Sequence, residues 1–498
     1  MFKRVLIANR GEIAVRIIKA CRTLGISPVG VYSEADARAL HVRLADDAVL
    51  LGPPEAAESY LAIDKLIDAA KSTGCEAVHP GYGFLAERAA FARAVIEAGL
   101  TWVGPSPEAI DLLGDKVRSR IVMEKAGIPV TPGYSGETAD IDLLLKEAER
   151  ITYPLLVKAA AGGGGKGMRV VDEPLQLKDA VEGAMREAKG AFGDSRIFLE
   201  KWVEEPRHIE FQIFADTHGN ALHLFERECS IQRRHQKVVE ETPSVALTPE
   251  LRKEMGDAAV ATAKAANYVN AGTVEFLLDK HGKFYFLEVN TRIQVEHPVT
   301  EEVVGVDLVA EQFRVAAGEP LRWKQSDLAQ RGHAIEVRIY AEDPAAGFLP
   351  AAGPVLHLEE PRGPGVRVES GVVQGVDVPV YYDPIMSKII AWGPDREISR
   401  NRLINALEHT VVLGVPTTAP FLRDVLKSEA FINGETRTDF IARHFSDWTG
   451  EDEMELKIAM AAATAMPEKT YAAGGDGKSN GVPSPWETLG SWRIGAVS

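Results

Sequence analysis

Glu288-Val289-Asn290-Thr291-Arg292-Ile293-Gln294-Val295-Glu296 carries a polar or charged residue at every even position and Val, Thr or Ile at every odd one between them. In an extended chain successive side chains point to opposite faces. One face then holds two carboxylates, two amides and a guanidinium, with β-branched residues behind it. That is a surface for polar chemistry, lining a cleft and backed by a core. Just upstream, Gly272-Thr273-Val274-Glu275-Phe276-Leu277-Leu278-Asp279 reads as a strand, Lys280-His281-Gly282-Lys283 as a tight turn and Phe284-Tyr285-Phe286-Leu287-Glu288-Val289 as the return strand. With His281-Gly282 as a two-residue loop, Lys280 faces Lys283, and the register carried back sets Glu275 opposite Glu288. Opposed Cβ atoms lie ~5 Å apart, and like charges there repel. A cation relieves the repulsion, and an oxygen-rich site completed by phosphate oxygens suits Mg²⁺. The plainer reading is two acids on a solvated sheet face. The Phe, Tyr, Leu and Val residues around them argue against it.

At 498 residues the chain has room for about three domains. Hydrophobic content of 45% and charged content of 26% are ordinary for a soluble globular protein. No apolar run approaches the ~20 residues of a membrane span. The N-terminus enters a strand at once, so no signal or transit peptide is expected, and the location read from this is cytoplasmic. Cys21, Cys75 and Cys229 are scattered without CxxC spacing, which disfavours disulfides or zinc and suits a reducing compartment. Cys229 reads as a buried structural thiol before it reads as a nucleophile. The net charge of −16 argues against nucleic-acid binding. An anionic substrate would therefore need a locally basic site.

The first 110 residues alternate strands and helices: strand Arg4 to Ala8, helix Ile13 to Leu24, strand Ser27 to Tyr32, helix Tyr60 to Lys71, strand Ala77 to His79, helix Glu87 to Ala98, strand Trp102 to Gly104. This rhythm predicts a doubly wound parallel sheet. Arg10-Gly11-Glu12 sits where a dinucleotide loop would, but no GxGxxG follows. A helix from Lys116 to Ala126 leads to a compact unit over roughly 131–203, with a helix near Leu143 to Glu149 and strands Pro154 to Lys158 and Met168 to Val171. Short strands, Pro/Gly turns and a helix fill 331–446, an α+β unit. Beyond it, Glu451 to Met466 reads as a helix and Ala473 to Gly481 as linker.

Between the strands of the 131–203 unit lies Gly162-Gly163-Gly164-Gly165-Lys166-Gly167. It lacks the Lys-Ser/Thr ending of a Walker A loop. Consecutive glycines still let backbone N–H groups close over phosphate oxygens, and Lys166 adds charge. The rival is a flexible solvent loop, and a lid needs such flexibility anyway. Lys116 and Lys158 are candidate phosphate contacts, each weak alone. Glu200-Lys201-Trp202-Val203, at the junction of lid and main sheet, could hold an adenine through its backbone. His208 alternates with apolar residues on a strand, where a structural histidine is a serious rival. Glu228 to Lys237 is dense in cations and amides, an anion site or a solvated basic loop. Arg292 and Arg338 complete the basic set.

These motifs together resemble the biotin carboxylase family of ATP-grasp enzymes. The resemblance rests on Ile7-Ala8-Asn9-Arg10-Gly11-Glu12-Ile13-Ala14, His79-Pro80-Gly81-Tyr82-Gly83-Phe84-Leu85, the four-glycine loop, Gln232-Arg233-Arg234-His235-Gln236-Lys237, Glu288 to Pro298 and Ala341-Glu342-Asp343-Pro344, in order, over residues 1 to about 446. It implies an α/β and α+β chain: an N-terminal doubly wound parallel sheet (1–113), an ATP-grasp domain (114–330) with a mobile lid at about 131–203, a C-terminal α+β domain (331–446) and a tail (447–498) that could bind a partner. It implies that ATP is bound by Lys116, Lys158, Gly163, Gly164, Gly165, Lys166, Gly167, Glu200, Lys201, Val203, His208, Gln232, His235, Glu275 and Glu288. Glu275, Glu288 and Asn290 would hold Mg²⁺, with Mn²⁺ as an alternative. Lys237, Arg292, Gln294 and the Val295 backbone would hold bicarbonate, Glu296 would deprotonate it, and Tyr82 and Arg338 would meet biotin, Arg338 stabilising its enolate.

The implied activity is carboxylation of biotin through carboxyphosphate, the first half-reaction of acetyl-CoA carboxylase (and so of fatty acid biosynthesis) or of a related acyl-CoA or pyruvate carboxylase. In this family biotin is attached at an Ala-Met-Lys-Met type motif, and no Met-Lys-Met occurs here. The expected partners are therefore a separate biotin carboxyl carrier protein and a carboxyltransferase subunit, with a homodimer as the family's habit. Two rival readings are an ATP-grasp ligase of another carboxylate and a non-catalytic ATP-binding regulatory subunit.

Overall fold

The computed structural model describes residues 1–134, 140–159, 168–193, 195–234 and 236–450. Gly163, Gly164, Gly165, Lys166, Gly167, His235 and the helix and linker expected beyond 450 lie outside the described residues. Residues 1–450 form one compact unit.

Arg4–Ile7 is the centre of a five-stranded parallel sheet. Val5, Leu6 and Ile7 are fully buried, as an all-apolar central strand covered on both faces requires. Ser27–Ser33 and Asp47–Gly52 lie on one side of it, Ala77–His79 and Thr101–Trp102 on the other. The edge strand Asp47–Gly52 is an addition to the expected strands; with Asp47 and Leu50 exposed it shows little hydrophobic pattern. The helix Gly11–Thr23 starts two residues earlier than expected and buries Ile13, Ile17 and Ile18. It stops at Gly25, whose φ of +70° closes the C-cap while Ile26 N–H donates to Cys21 O. Because the strand order reverses beside Arg4–Ile7, the loops after Ile7 and His79 face one crevice, the usual ligand position in such sheets.

The 131–203 unit is a four-stranded antiparallel sheet ordered Gly133–Tyr134, Ile197–Lys201, Leu155–Ala159, Arg169–Val171. Two helices cover it. Ile141–Ile151 matches the expected helix; Pro174–Phe192 is an addition, although Leu177, Val181 and Ala184 follow a helical spacing into the core.

The largest sheet has eight antiparallel strands: Phe284–Asn290, Asn270–Leu278, Arg207–Ala215, Ala221–Arg233, Gln236–Thr242, His333–Tyr340, Ile385–Gly393 and Val366–Ser370, in that order. It runs unbroken past residue 330, since Val239 pairs with Val337.

The hairpin corrects the expected turn while keeping its consequence. Asp279 N–H donates to Lys283 O at 2.8 Å, so the loop is the three residues Lys280-His281-Gly282, closed by Gly282 at φ +79°. That shifts the register by one, and Phe276 faces Phe286. A bulge at Leu287 then shifts it back, and Glu275 faces Glu288. Two departures from the simple count cancel. The strand also ends sooner than its alternation suggests. It stops at Asn290, and residues 291–296 turn into the helix His297–Val304, where Pro298 suits the first turn.

Candidate active site

Among the described residues, every candidate from the sequence lines one cavity of about 930 Å³. Its floor is the eight-stranded sheet, one wall is the 131–203 unit, and the loops 9–13 and 82–84 close the far end. Leu156, Trp202, Val203, Leu277 and Leu287 supply an apolar slot at the end nearest that unit.

One cross-strand row carries the acids. Glu288 faces Glu275, Glu275 faces Glu210, and Glu210 faces Arg227. Three adjacent carboxylates would repel strongly, and cations from other segments sit between them. Lys237 Nζ donates to Glu275 Oε1 at 2.8 Å, to Glu296 Oε1 at 2.7 Å and, at short range, to Glu210. Arg227, with no exposed surface, holds Glu210 Oε1 from Nε at 2.6 Å and Gln294 Oε1 from Nη2 at 2.8 Å. Lys116 Nζ lies 3.3 Å from Glu288 Oε2. Burial alone would push Glu275 up, but Lys237 and His208 outweigh it and hold its carboxyl well below the usual range. Burial likewise pushes Glu296 up, but Lys237, Arg338 and Arg227 outweigh it and hold this carboxyl well below the usual range too. Both acids are therefore ionised at neutral pH.

Glu275 is the most connected acid. Its Oε1 also accepts from Asn290 Nδ2 at 2.8 Å and Gln294 Nε2 at 3.0 Å. His208 Nε2 stands 3.0 Å from Glu275 Oε2, out of line for a hydrogen bond, while Gln232 Nε2 donates to His208 Nδ1 at 2.8 Å. The Glu275 and Glu288 backbones pair as expected, yet each carboxylate turns to a different lysine. Two carboxylates and the Asn290 amide oxygen are hard donors of the type Mg²⁺ takes. The ammonium charges now beside them are what a divalent ion would replace, so the donor set fits the metal. Among the described residues, His208, Glu210 and Glu275 also bring ligand atoms within 4.8 Å of one another.

Arg338 binds Glu296 Oε2 from Nη2 at 3.0 Å and Glu240 Oε1 from Nε at 2.6 Å. Burial pushes Glu240 up to about 7 despite that arginine, and its cross-strand neighbour Glu336 is raised further by burial. Arg292 lies 3.0 Å from Glu87 Oε2 and donates from Nη2 to Asn290 Oδ1 at 2.9 Å. Near the apolar slot, Glu200 takes Arg120 Nη1 at 2.8 Å and Lys158 Nζ, and Lys201 Nζ reaches Tyr153 O at 2.8 Å. The N–H groups of Lys201 and Trp202 are used by Pro132 O and Pro154 O. Cys229 is fully buried and its thiol is pushed up by burial, as a structural cysteine should be.

Glu210, Arg227, Glu240 and Glu87 are site residues that the sequence reading does not single out. Glu210 carries a signal: it lies two residues from His208 on one strand, hence on the same face. Arg227 and Glu240 reach the site only through strand order, and Glu87 only through the packing of the parallel-sheet segment on the site.

A glutamate row, a buried lysine hub and a covering α/β unit beside an apolar slot define an ATP-grasp site. The family descriptions agree: "Carbamoyl-phosphate synthase L chain, ATP binding domain" matches residues 115–324, "Biotin carboxylase, N-terminal domain" residues 1–110 and "Biotin carboxylase C-terminal domain" residues 336–443. The chain belongs to the biotin carboxylase family. It is 49% identical over 478 residues to a pyruvate carboxylase subunit of Methanothermobacter thermautotrophicus, covering 95% of this chain and 97% of that one. It is 50% identical over 440 residues to the biotin carboxylase of Nostoc sp., covering 88% and 98%. Its fold matches the crystal structure of the biotin carboxylase domain dimer of Hydrogenobacter thermophilus 2-oxoglutarate carboxylase, in complex with MgADP, ADP and bicarbonate. The TM-score is 0.86 at 47% identity, over 89% of this chain and 98% of that one. No described helix is long and apolar enough to cross a membrane.

Proposed function

We propose that this biotin carboxylase-type ligase uses MgATP and bicarbonate to carboxylate biotin presented by a carrier protein, and that a carboxyltransferase then passes the carboxyl group to an acyl acceptor. The observation that carries the reading is the junction at Glu296. One carboxylate, ionised and buried, is gripped by both Lys237 and Arg338 in the wall of a nucleotide-sized cavity.

In this reading the adenine occupies the apolar slot near Val203, with Glu200, Lys201, His208 and Gln232 around it. Lys116 and Lys158 meet the phosphates. Glu275, Glu288 and Asn290 would hold Mg²⁺, which neutralises phosphate charge. Lys237, Arg292, Gln294 and the Val295 N–H receive bicarbonate. Lys237 then turns from the carboxylates to the anion, and Glu296 recovers proton affinity and takes the bicarbonate proton. The bicarbonate oxygen attacks the γ-phosphorus, the bond to ADP breaks, and carboxyphosphate forms. Carboxyphosphate splits into CO₂ and phosphate; phosphate accepts the N1 proton of biotin, and the enolate, its oxygen facing Arg338, bonds to CO₂. Excluding water during these steps protects carboxyphosphate. The Methanothermobacter relative, itself named as one subunit of its enzyme, supports a chain that works beside separate partners, and the dimer of the related domain supports a homodimer. Pyruvate and 2-oxoglutarate in the relatives' names show how the acceptor varies across the family.

The test is ATP cleavage by the purified chain with bicarbonate and free biotin. Glu296→Gln should lower bicarbonate-dependent turnover by roughly 10²–10⁴-fold while ATP still binds. Arg338→Ala should lose biotin carboxylation more than ATP cleavage. Cleavage indifferent to biotin and stimulated by an amine would refute the reading.

A further inference from the structure

The Asn9-to-Glu12 motif takes no part in the chemistry above, yet it enters the cavity wall. Glu12 is 1% exposed and Lys388 is fully buried, and the two come from segments far apart in the chain. Lys388 Nζ lies 3.3 Å from Glu12 Oε1. The same ammonium donates a short hydrogen bond to Val295 O, and the same carboxylate oxygen accepts a short one from Tyr82 OH. The Val295 carbonyl and the Glu296 amide share one rigid peptide plane. Lys388 thus fixes the plane from which the Glu296 side chain leaves, just before the helix His297–Val304 begins. Glu12 fixes the phenol of Tyr82, which also lines the cavity. A buried ion pair is a weak source of stability, and an apolar pair of the same shape would serve the fold as well or better. What this pair provides and an apolar one could not is a hydrogen bond at each end, one to the loop of the base and one to Tyr82.

Resting on the function proposed above, we infer that Glu12 and Lys388 are positioning residues, a buried strut that sets Glu296 and the Tyr82 hydroxyl in register with each other. Lys388 acts on the bicarbonate side and Glu12 on the biotin side.

The experiment measures KM for ATP, bicarbonate and biotin, with kcat, on the full chain and on Lys388→Met, Glu12→Gln, Tyr82→Phe and the Glu12→Gln/Lys388→Met double variant. Lys388→Met should lower kcat/KM for bicarbonate about tenfold or more, and Glu12→Gln should raise KM for biotin by about tenfold, each leaving KM for ATP within about twofold. Tyr82→Phe, which deletes only the hydroxyl, should reproduce the Glu12→Gln effect and keeps the test open should a charge variant fold poorly. The double variant should lose less than the product of the single losses. Folded variants whose bicarbonate and biotin constants stay within about twofold of the parent would overturn the strut, as would equal changes in all three constants. A parent chain with no bicarbonate-dependent ATP cleavage would instead overturn the functional reading, and the strut with it.

Discussion

Replacing Lys237 with Met keeps most of the side chain's length and removes its charge. Three carboxylates lose a shared partner: Glu275 at 2.8 Å, Glu296 at 2.7 Å and Glu210 at short range. Glu210 keeps Arg227, Glu296 keeps Arg338 with Arg227 nearby, and Glu275 keeps only the His208 imidazole beside it. Two carboxylates ~5 Å apart at an effective dielectric of about 20 repel by roughly 3 kcal/mol. Removing one partner of a buried ion pair costs about 3–5 kcal/mol. The two figures agree, so the variant should lose roughly 3–5 kcal/mol at pH 7. The loss should depend on pH with a definite sign. Lys237 depresses Glu275 and Glu296, so its stabilisation is complete above the ordinary carboxylate range and is lost only as pH falls below that range through the depressed folded values. Without the lysine those acids titrate higher and shed their repulsion by taking up protons. The gap between parent and variant should therefore narrow from pH 7 to pH 5. Calorimetric melts across that range test this, with and without millimolar Mg²⁺. Magnesium should raise the variant's midpoint more than the parent's, because it restores positive charge among the same oxygens. A variant melting with the parent at pH 7, or a gap that widens toward pH 5, would refute the electrostatic account of the hub.

Two other outcomes follow from close packing and from a buried imidazole. A Cβ at Gly371 would sit 2.4 Å from Glu12 N and 2.7 Å from the Gly11 carbonyl carbon, both backbone atoms. Gly371→Ala should cost about 1–3 kcal/mol in a denaturant melt and raise KM for biotin as Glu12 shifts; a neutral result would remove Glu12's backbone from the biotin side. His79 is fully buried, accepts Gly81 N–H at Nδ1 (3.0 Å) and meets Gln312 Oε1 at Nε2 (3.2 Å), so it is the neutral Nε2–H tautomer. Burial lowers it from 6.5 to about 3, so the stability it contributes is complete above pH 6.5 and is lost as pH falls toward 3, by about 2 kcal/mol at pH 5. Melting midpoints of the parent and His79→Gln should converge from pH 7 to pH 5, and parallel curves would contradict this.

What can be read from the chain depends on how local its cause is. The parallel sheet is legible because Val5-Leu6-Ile7 and the helix after it carry strong, short-range patterns. The Glu275–Glu288 pairing is legible too, although the longer turn and the Leu287 bulge have to cancel for the simple count to succeed. Period-two alternation from Glu288 to Glu296 marks side chains that do line one cavity, although alternation is not what brings them there. Beyond Asn290 they converge through a turn and a helix start, a path no periodicity encodes. Pro174–Phe192 has a signal in Pro174 and the Leu177, Val181, Ala184 spacing. Glu210, Arg227 and Glu240 join the site through strand neighbours that only the folded sheet order defines.

The row Glu288, Glu275, Glu210 also explains why the site needs cations from distant segments. A sheet built for stability alone would not align three acids across adjacent strands. Here Lys116 comes from the helix Lys116–Lys125 and Lys237 from the strand Gln236–Thr242, while Arg338, on the strand beside it, His333–Tyr340, reaches Glu296 next to the row. The arrangement ties base strength to occupancy. While Lys237 and Arg338 both hold Glu296, its carboxylate is ionised but a poor proton acceptor. In the proposed reaction an anion arriving between those cations would draw them off, and the carboxylate's proton affinity would rise at that moment. In the proposed reaction bicarbonate is such an anion, so the substrate whose proton must leave is also what makes Glu296 able to take it.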